Sequence, residues 1–384
     1  MLMTGPDREV FISGVAEAPL GEVRDHSELS MIALAAREAL ADAGLTLRDV
    51  DGLFVNYLGE EGTVQVGEYL GIQPSYSDSS DLGGAAFVAF LGHASAALQT
   101  GRCRVALIVY ASRQRTRATR KLNHWNEKAT SPQFEQPYGL PAPMGQFGLL
   151  AARHMYEYGT TPEQLASVAV TARQWAGLNP KAWKRDRLTI DDVLESRLIC
   201  APLRRLDCCL VTDGGGAIVL TTGDRARDSA NTPIRVAGTG ESARQWHIPQ
   251  LPSLEASPGV AAARAALQMA EVGHADIDVF EPYDASTISV LLALEDVGFC
   301  GRGDAGAFVQ EGNLSITGSL PSITSGGGLS YCHPGALGIL LVIEAVRQLR
   351  GQAGARQVPG ATVGLVHGIG GLFSTAATAV LVRG

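Results

Sequence analysis

The sequence lacks two features that would point to a membrane or to nucleic acid. Its longest apolar stretches, such as Ala336–Val346, are interrupted and shorter than the roughly 20 apolar residues that a membrane-spanning helix needs. Lysine and arginine number 31 against 39 acidic residues, which leaves a formal net charge of −8. Nucleic-acid-binding domains carry a basic face. We therefore expect neither a membrane span nor a nucleic-acid partner.

The sequence also has few cysteines, and their spacing fits no metal site. The six are Cys103, Cys200, Cys208, Cys209, Cys300 and Cys332. Metal-binding cysteines come in short, regular spacings, and adjacent cysteines are poor candidates for a disulfide framework. The first residues do not show the basic region and apolar run of a signal peptide. We expect a cytoplasmic protein with reduced thiols and no metal ion.

Apolar residues and glycine, in contrast, are abundant. The 384 residues are 46% hydrophobic and include 45 glycines spread without a period. Such a chain can bury a large core, and its length fits two domains or one duplicated domain. Glycines scattered in this way indicate many tight turns and close backbone approaches.

The second half of the sequence repeats an order of elements found in the first half. A pattern of alanines and aspartates is shared by AREALADAGLTLRDVDGLFVNY and ARAALQMAEVGHADIDVFEPYD. In each half we predict a strand, an alanine-rich amphipathic helix and, after the aspartates, a second strand. These elements are Val10–Val15, Ser30–Ala43 and Leu53–Tyr57, and then Ile234–Ala237, Val260–Val272 and Val279–Tyr283.

Each half next contains glycines followed by a helix with apolar or small residues nearly all round, which places that helix in the core. We predict Ala85–Leu98 after Gly83 and Gly84, and about Pro334–Leu349 after Gly326–Gly328. Continuous apolar strands follow each helix, as in sheets covered on both faces. The predicted strands are Val105–Tyr110, Gly216–Thr221, Thr362–His367 and Ala376–Val382.

Together these elements predict an α/β protein with two pseudo-two-fold-related β/α halves. Stacked back to back, the halves give five layers, in the order helix, sheet, helix, sheet and helix. We assign them to residues 1–228 and 229–384. Residues from about 111 to 213 are an insertion in the first half, and an insertion of this size is expected to form a lid or a wall of the substrate site.

Four segments of the chain carry a family resemblance. They are ALADAGLTLRDVDGL, RHMYEYGTTPEQLASVAV, SRLICAPLRRLDCCLVTDGGGAIVL and the C-terminal run from EPYDASTISVLLALEDVGFC to GLVHGIGG. In this order they resemble the thiolase superfamily over essentially the whole chain. The branch they are most similar to is that of the sterol-carrier-protein thiolases and bacterial lipid-transfer-protein aldolases. The resemblance implies a thiolase fold and a coenzyme A thioester as substrate, with no intrinsic cofactor.

The chain departs from the thiolase pattern at both cysteine positions. A thiolase carries one cysteine at the start of its first buried helix, a histidine in a Gly-His-Pro turn and a second cysteine before a glycine-rich turn. Here the first helix starts Asp81–Ala85 without a cysteine, and the second position falls near Gly368. The histidine turn is kept at His333, and Tyr283 stands at a strand end where the family places a catalytic group. The resemblance therefore implies acid–base chemistry in place of covalent acyl transfer.

The reaction implied by this pattern is retro-aldol cleavage of a β-hydroxyacyl-CoA with a steroid or other bulky acyl group. The predicted catalytic residues are Tyr283, Tyr331, His333 and His367. Either tyrosine would act as acid and base, and His333 as polariser or second base. The free N–H groups of a glycine-lined helix start can hold a thioester oxygen. The glycines predicted to line the thioester site are Gly83, Gly84, Gly327 and Gly370.

Two other functions stay open. An acyltransferase or condensing enzyme would use Cys332 or a partner's thiol, and a scaffold subunit would bind lipid or acyl-CoA without turning it over. The basic run 113–121 either contacts CoA phosphates or is a solvated loop. The resemblance also implies a homodimer that pairs through the sheet edge near the first buried helix. It further implies a partner protein built of a zinc ribbon and an OB-fold domain.

Overall fold

The computed structural model describes residues 9–56, 61–117, 131–140, 142–226, 231–371 and 373–384. Its helices are α1 (Glu28–Asp42), α2 (Gly62–Leu70), α3 (Ala86–Gln99), α4 (Ser131–Phe134), α5 (Met144–Tyr158), α6 (Pro162–Leu178), α7 (Ile190–Glu195), α8 (Gly223–Ala226), α9 (Pro258–Ala270), α10 (Thr287–Val297), α11 (Ala305–Gln310) and α12 (Gly338–Arg350). Its strands are β1 (Val10–Glu17), β2 (Gly52–Val55), β3 (Tyr76–Asp78), β4 (Val105–Arg113), β5 (Leu198–Cys200), β6 (Leu203–Arg204), β7 (Asp213–Thr222), β8 (Ile234–Ala243), β9 (Val279–Pro282), β10 (Val363–Gly370) and β11 (Thr375–Arg383). Within these ranges, no helix has both the length and the apolar character that crossing a bilayer requires.

The main sheet contains the same strand arrangement twice. Its order is β3-β2-β4-β7-β1-β8-β11-β10-β9, and β5 pairs separately with β6. In both β2-β4-β7-β1 and β9-β10-β11-β8, the first pair is parallel and the next two pairs are antiparallel. The two sets are joined where β1 meets β8, through Phe11 with Arg235 and Ile12 with Ile234. The predicted repeat is present in this topology.

Two helices lie between the halves of the sheet. α3 and α12 contact each other and strands of both halves, whereas α1 packs on β1, β4 and β7, and α9 packs on β8 and β11. Both central helices have buried stretches that span more than a full turn, residues 86–91 in α3 and 338–346 in α12. A helix that is apolar on every side needs cover on every side. This arrangement confirms the predicted α/β fold with five layers.

The aspartates of the repeated pattern have the same role in each half. Asp51 accepts hydrogen bonds from two backbone N–H groups at the start of β4, at 2.8 Å each. Asp278 accepts two from the start of β10, at 2.8 and 2.9 Å. Asp49 and Asp276 each accept the N–H of the residue three positions before them, at 2.9 and 2.7 Å. The four carboxylates therefore stabilise equivalent turns.

The second glycine cluster does not open α12, so the predicted helix start near Pro334 is wrong. Gly327–Tyr331 form a π-helical turn, and α12 begins at Gly338. Gly326 and Gly327 have φ of 92° and 58°, in the left-handed region that glycine adopts without strain. The chain therefore turns sharply after the glycines before it can enter the helix.

The insertion packs against the second half of the protein. α6 contacts α10, α11 and the π-helical turn. The indole N–H of Trp175 donates to the carbonyl of Leu314 at 2.9 Å, and the amide of Asn179 donates to the carbonyl of Ser325 at 2.8 Å. These bonds fix the predicted lid region beside the turn that leads to α12. The predicted boundary between residues 228 and 229 lies outside the described residues and stays a prediction.

Candidate active site

Tyr283 follows β9, and its hydroxyl lies among polar atoms. The residue is 4% exposed, and its backbone N–H donates to the carbonyl of His367 at 2.8 Å. The hydroxyl oxygen lies 3.3 Å from Nε2 of His333 and 3.3 Å from the carbonyl oxygen of Gly335, and it accepts the N–H of Leu337 at 3.1 Å. Because its hydrogen can go to the imidazole or to the carbonyl, the hydroxyl is placed to exchange a proton with His333.

His333 is held by hydrogen bonds of its backbone and by the packing of Tyr283 and Gly328 against its ring. Its N–H donates to Oγ1 of Thr212 at 2.9 Å, and its carbonyl accepts the N–H of Thr212 at 3.3 Å. Its ring meets that of Tyr283 edge to face, with centroids 5.7 Å apart and planes at 79°. A β-carbon added at Gly328 would lie 2.9 Å from Cδ2 of His333. The imidazole is therefore fixed in the orientation that faces the phenol.

Asp284 holds the π-helical turn that precedes His333. Its carboxylate is buried and accepts the N–H of Gly328 at 2.6 Å and the N–H of Leu329 at 2.9 Å. Burial raises the pKa of Asp284 to about 8, although the two N–H donors favour the charged form. The carboxylate stabilises the turn, and so it acts on the site through the backbone that carries His333.

The start of α3 packs against the ring of Tyr283. Gly83–Ala85 form a short 3-10 turn before α3, and among the described residues no side chain caps it. A β-carbon added at Gly84 would lie 2.5 Å from Cε2 of Tyr283. The first N–H groups of a helix have no partner within the helix. A substrate oxygen bound beside Tyr283 would therefore be within reach of donors at this helix start.

The other predicted binding glycines pack against atoms of the protein itself. Gly327 and Gly370 are both buried. A β-carbon added at Gly327 would lie 2.2 Å from Oδ2 of Asp284, and one at Gly370 would lie 1.8 Å from the carbonyl oxygen of Leu82. Both glycines allow backbone segments to approach closely. Their contact with a thioester stays a prediction.

The hydroxyl of Tyr331, the alternative predicted acid and base, is engaged by a carboxylate and not by His333. The phenol donates to Oε1 of Glu17, the oxygen that also binds Arg347, and Lys181 binds Oε2 of the same carboxylate. Burial raises the pKa of Tyr331 well above its usual range, and the charge of Glu17 raises it further. Although burial raises the pKa of Glu17 as well, the two cations outweigh it and lower that pKa to about 2. The phenol is therefore a donor in a buried charge cluster.

His367 contributes its carbonyl to Tyr283 but turns its ring away from the start of α3. A β-carbon added at Gly368 would meet Ala85 at 3.2 Å and Val88 at 3.0 Å, and neighbouring residues of a strand face opposite sides. The His367 ring is buried with Nδ1 2.9 Å from Oγ1 of Thr378, and Nε2 has no hydrogen-bond partner among the described residues. Burial lowers the pKa of His367 to about 4, so the ring is neutral at pH 7.

Cys332 is a buried thiol in this arrangement. It is 1% exposed, its sulfur lies 3.1 Å from Oγ1 of Thr212, and it donates to the carbonyl of Asp213 at 3.5 Å. Burial raises the pKa of Cys332 to about 12. A nucleophilic cysteine needs an accessible thiolate. The geometry therefore gives no support to Cys332 as a displaced nucleophile.

A cavity of about 520 Å³ lies on the other side of the histidine turn. The hydroxyl of Tyr110 donates to the carbonyl of Pro334 at 2.7 Å and accepts the N–H of Ala336 at 3.3 Å, so the turn separates this cavity from Tyr283. The residues of the basic run that line it are Arg113, Gln114 and Arg117. Arg117 forms an ion pair with Glu28 at 2.9 Å. Residues 118–121 of the run lie outside the described residues.

Sequence reasoning missed several groups that build the site. Thr212 binds the backbone N–H and carbonyl of His333, and the only signal in the sequence was its position directly before Asp213, which begins β7. The carbonyl of Gly335 and the N–H of Leu337 contact the phenol through main-chain atoms, for which residue type gives no signal. Among the described residues, no cluster of three or more histidine, cysteine or acidic side chains could hold a metal ion.

The family model that matches the chain is that of the thiolase C-terminal domain-like family, over residues 240–383. The chain is 33% identical to an acetyl-CoA acetyltransferase of Methanothermobacter thermautotrophicus, over 98% of this chain and 100% of that protein. It is 34% identical to the 17-hydroxy-3-oxo-4-pregnene-20-carboxyl-CoA lyase of Mycobacterium tuberculosis, over 98% of each chain.

A solved structure described as an Ltp2-ChsH2(DUF35) aldolase has the same architecture. It superposes with a TM-score of 0.89 at 30% identity, over 98% of this chain and 98% of that chain. The full-length match to enzymes that share the fold confirms the resemblance found in the sequence. The chain belongs to the thiolase superfamily, in which it is similar both to acetyltransferases and to aldolases.

Proposed function

We propose that the protein catalyses retro-aldol cleavage of a β-hydroxyacyl-CoA by acid–base chemistry. The observation that carries this proposal is the 3.3 Å contact between the Tyr283 hydroxyl and Nε2 of His333, beside a helix start that has no nucleophile. The full-length relative of Mycobacterium tuberculosis is named as a lyase, and the matched solved structure as an aldolase. Both names support cleavage.

The reaction needs a base, an acid and a site for negative charge. The β-hydroxyl gives up its proton, the Cα–Cβ bond breaks, and its electron pair passes into the thioester to form an enolate. The products are a carbonyl compound and a shorter acyl-CoA, which forms when the Tyr283–His333 pair returns the proton to Cα. Tyr283 takes the hydroxyl proton in concert with transfer to His333, and the N–H of Leu337 stabilises the phenol oxygen. The start of α3 stabilises the enolate oxygen.

The proposed substrate is a coenzyme A thioester with a steroid or other bulky acyl group. The name of the Mycobacterium tuberculosis relative describes a pregnene carboxyl-CoA, which supports this class. No redox step occurs in the cleavage, so the reaction requires no further cofactor. The cavity beside Arg113 and Arg117 offers guanidinium groups for the CoA phosphates.

We also propose that the protein works as a dimer with a partner subunit. β3 ends the sheet, and Oδ2 of Asp78 on this strand lies 3.0 Å from Nδ1 of His93 on α3. The family resemblance implies a homodimer that pairs through the sheet edge near the first buried helix, and we propose β3 as that edge. The matched solved structure is described as an Ltp2-ChsH2(DUF35) aldolase, and this pairing of two names supports a partner subunit, for which we propose the zinc-ribbon and OB-fold protein that the family resemblance implies.

Replacing Tyr283 by phenylalanine tests the reaction. Cleavage of β-hydroxyacyl-CoA should fall by about 100-fold or more, because the proton-transfer group is removed while the ring remains. Tyr110→Phe is the matched control: it removes a hydroxyl from the opposite side of the same turn. The rate is measured by chromatography of the acyl-CoA product in a steady-state assay. Undiminished cleavage by Y283F would exclude the proposal.

An acyltransferase is the second candidate, favoured by the full-length acetyl-CoA acetyltransferase relative. The burial of Cys332 and its raised pKa argue against a cysteine of this chain as nucleophile. The comparison of wild type with Y283F also discriminates the two candidates. If wild type and Y283F transfer acetyl groups between CoA thioesters at equal rates and neither cleaves a β-hydroxyacyl-CoA, the acyltransferase is the better description.

A further inference from the structure

Two neighbouring glycines at the start of α3 are needed for different reasons. Gly83 has φ of 58°, and a β-carbon there would lie 2.4 Å from the backbone nitrogen of Gly371. Gly84 has no such backbone requirement, since its φ lies outside the left-handed region. Its added β-carbon would instead lie 2.5 Å from Cε2 and 2.7 Å from the hydroxyl oxygen of Tyr283. The three heavy atoms nearest to the β-carbon added at Gly84 therefore all belong to the side chain of Tyr283.

Tyr283 cannot move away from a β-carbon at residue 84 without losing its hydrogen bonds. Its hydroxyl is held by His333, by the carbonyl of Gly335 and by the N–H of Leu337, and the residue is 4% exposed. A ring displaced by an added methyl group would lengthen the 3.3 Å path to Nε2 of His333. Real β-carbons do not approach other heavy atoms to within 2.5 Å, so a shift is required.

The backbone at Gly84 cannot move away from Tyr283 either. On one side α12 packs directly on the backbone of Gly84: a β-carbon added at Gly338 would lie 2.6 Å from the Gly84 carbonyl oxygen. On the other side the end of β10 meets Gly83, where an added β-carbon would lie 2.8 Å from Cα of Gly370. The backbone at residue 84 is thus confined between two buried segments, and its distance from the tyrosine is fixed.

We infer that Gly84 is a positioning residue: the absence of a side chain at this place is what allows the Tyr283 hydroxyl to reach His333. A side chain at residue 84 and a tyrosine at residue 283 exclude one another. The site therefore holds either a residue that reaches out from the helix start or the Tyr283–His333 pair. The catalytic part of this inference rests on the proposed function, whereas the steric part does not.

The catalytic part is tested with Gly84→Ala. The kcat for β-hydroxyacyl-CoA cleavage should fall by about 100-fold, the loss expected when a reacting group moves by about 1 Å, with a smaller change in KM. Gly92→Ala is the matched control, because it lies on the same helix and its β-carbon would meet Oγ1 of Thr239 at 2.9 Å. It should keep the wild-type kcat. Equal kcat values for G84A and G92A would overturn the inference.

The steric part is tested by a stability cycle that needs no turnover. Gly84→Ala should lower Tm in the wild-type background and should not lower it in a Tyr283→Ala background, where the ring is gone. Coupling between contacting residues is what such a cycle isolates. The same loss of Tm in both backgrounds would refute the steric clash. A G84A variant that folds only together with Y283A supports it, and one that folds in neither background refutes it.

The kcat comparison and the stability cycle distinguish a failure of the inference from a failure of the proposed function. If wild type cleaves no β-hydroxyacyl-CoA but the stability cycle shows coupling, the proposed function fails and the packing of residue 84 against Tyr283 stands. If wild type cleaves the substrate and G84A cleaves it equally well, the inference fails and the proposed function stands.

Discussion

The glycine segments that precede the two central helices have diverged in their roles. Gly83 and Gly84 lead directly into α3 and leave its start beside the tyrosine. In the second half, Gly327–Tyr331 form a π-helical turn held by the Asp284 carboxylate, and the turn delivers His333 to the site. The two halves have the same layers of helices and strands, and they differ in the glycine segments that precede α3 and α12. The duplicated scaffold thus keeps its architecture, while the chemistry depends on short segments where the symmetry is broken.

The largest expected effect comes from removing the carboxyl group of Asp284, which holds the π-helical turn of the second half. Asp284→Ala leaves the buried N–H groups of Gly328 and Leu329 without their acceptor, and unmet buried donors cost about 1–3 kcal/mol each. We expect the free energy of unfolding to drop by about 4 kcal/mol. Cleavage activity should also be lost, because His333 follows the turn. Urea unfolding followed by circular dichroism measures the first effect.

Asp278→Ala is the control for this change. Asp278 also accepts two backbone N–H groups, but it is only partly buried, and water can replace it. The loss should be near 1 kcal/mol, with activity retained. Equal destabilisation by D284A and D278A would show that the Asp284 carboxyl group stabilises the protein no more than an ordinary turn aspartate does.

The next effect concerns the far end of the same turn, where Tyr331 binds Glu17. The cations Arg347 and Lys181 outweigh the burial that raises the pKa of Glu17 and lower this pKa from 4.5 to about 2. At about 1.4 kcal/mol per pKa unit, the ionised carboxylate contributes about 3 kcal/mol of stability. A carboxylate with a lowered folded-state pKa stabilises above its unfolded pKa, and the contribution is lost as the pH falls from about 4.5 to 2.

Glu17→Gln should therefore be less stable than wild type at pH 7, with the difference shrinking as the pH falls through that window. Urea unfolding of both proteins at a series of pH values provides the measurement. Glu22→Gln serves as the control, since Glu22 pairs with Arg24 and Arg115 near the surface. A gap between wild type and E17Q that stays constant down to pH 2 would contradict the assignment.

The smallest effect is expected where the two halves have stayed alike. Gly101 and Gly351 follow the two central helices with φ of 71° and 73°, and an added β-carbon would meet open space at both. Alanine in this left-handed conformation costs about 1 kcal/mol. Gly101→Ala and Gly351→Ala should each lower the free energy of unfolding by that amount and leave cleavage unchanged. Clearly unequal losses would mean that the similarity of the halves does not extend to these caps.

The layers of the fold were predictable from the sequence because they depend on local pattern. Alternation and apolar runs specify strands such as β4 and β10, and the all-round apolar character of α3 specifies its place in the core. The start of α12 was not predictable, since it depends on the Asp284 carboxylate capturing N–H groups from a distant segment. A glycine cluster by itself does not distinguish a helix start from a turn.

The site was predictable only in part. The pairing of Tyr283 with His333 follows from the family pattern, and the structure brings their side chains together. Tyr331 lies two residues before His333, and the backbone of His367 bonds to Tyr283, but a buried carboxylate and strand alternation place the side chains of Tyr331 and His367 elsewhere. The sequence alone does not show which main-chain donors and acceptors belong to the site. It also does not show that residue 84 must lack a side chain, because that depends on which segments pack beside it.

The central position of β1 in the sheet has a consequence for the synthesis of the protein. Within the described residues, β1 pairs with β7 and β8, and the first of these strands begins at Asp213. While the ribosome makes the residues between, β1 has emerged with both of its edges open. Unpaired strand edges are templates for association with other chains. The middle of the sheet can therefore close only after synthesis has reached Asp213, and α1, which packs on a face of β1, leaves the two edges of that strand open until then.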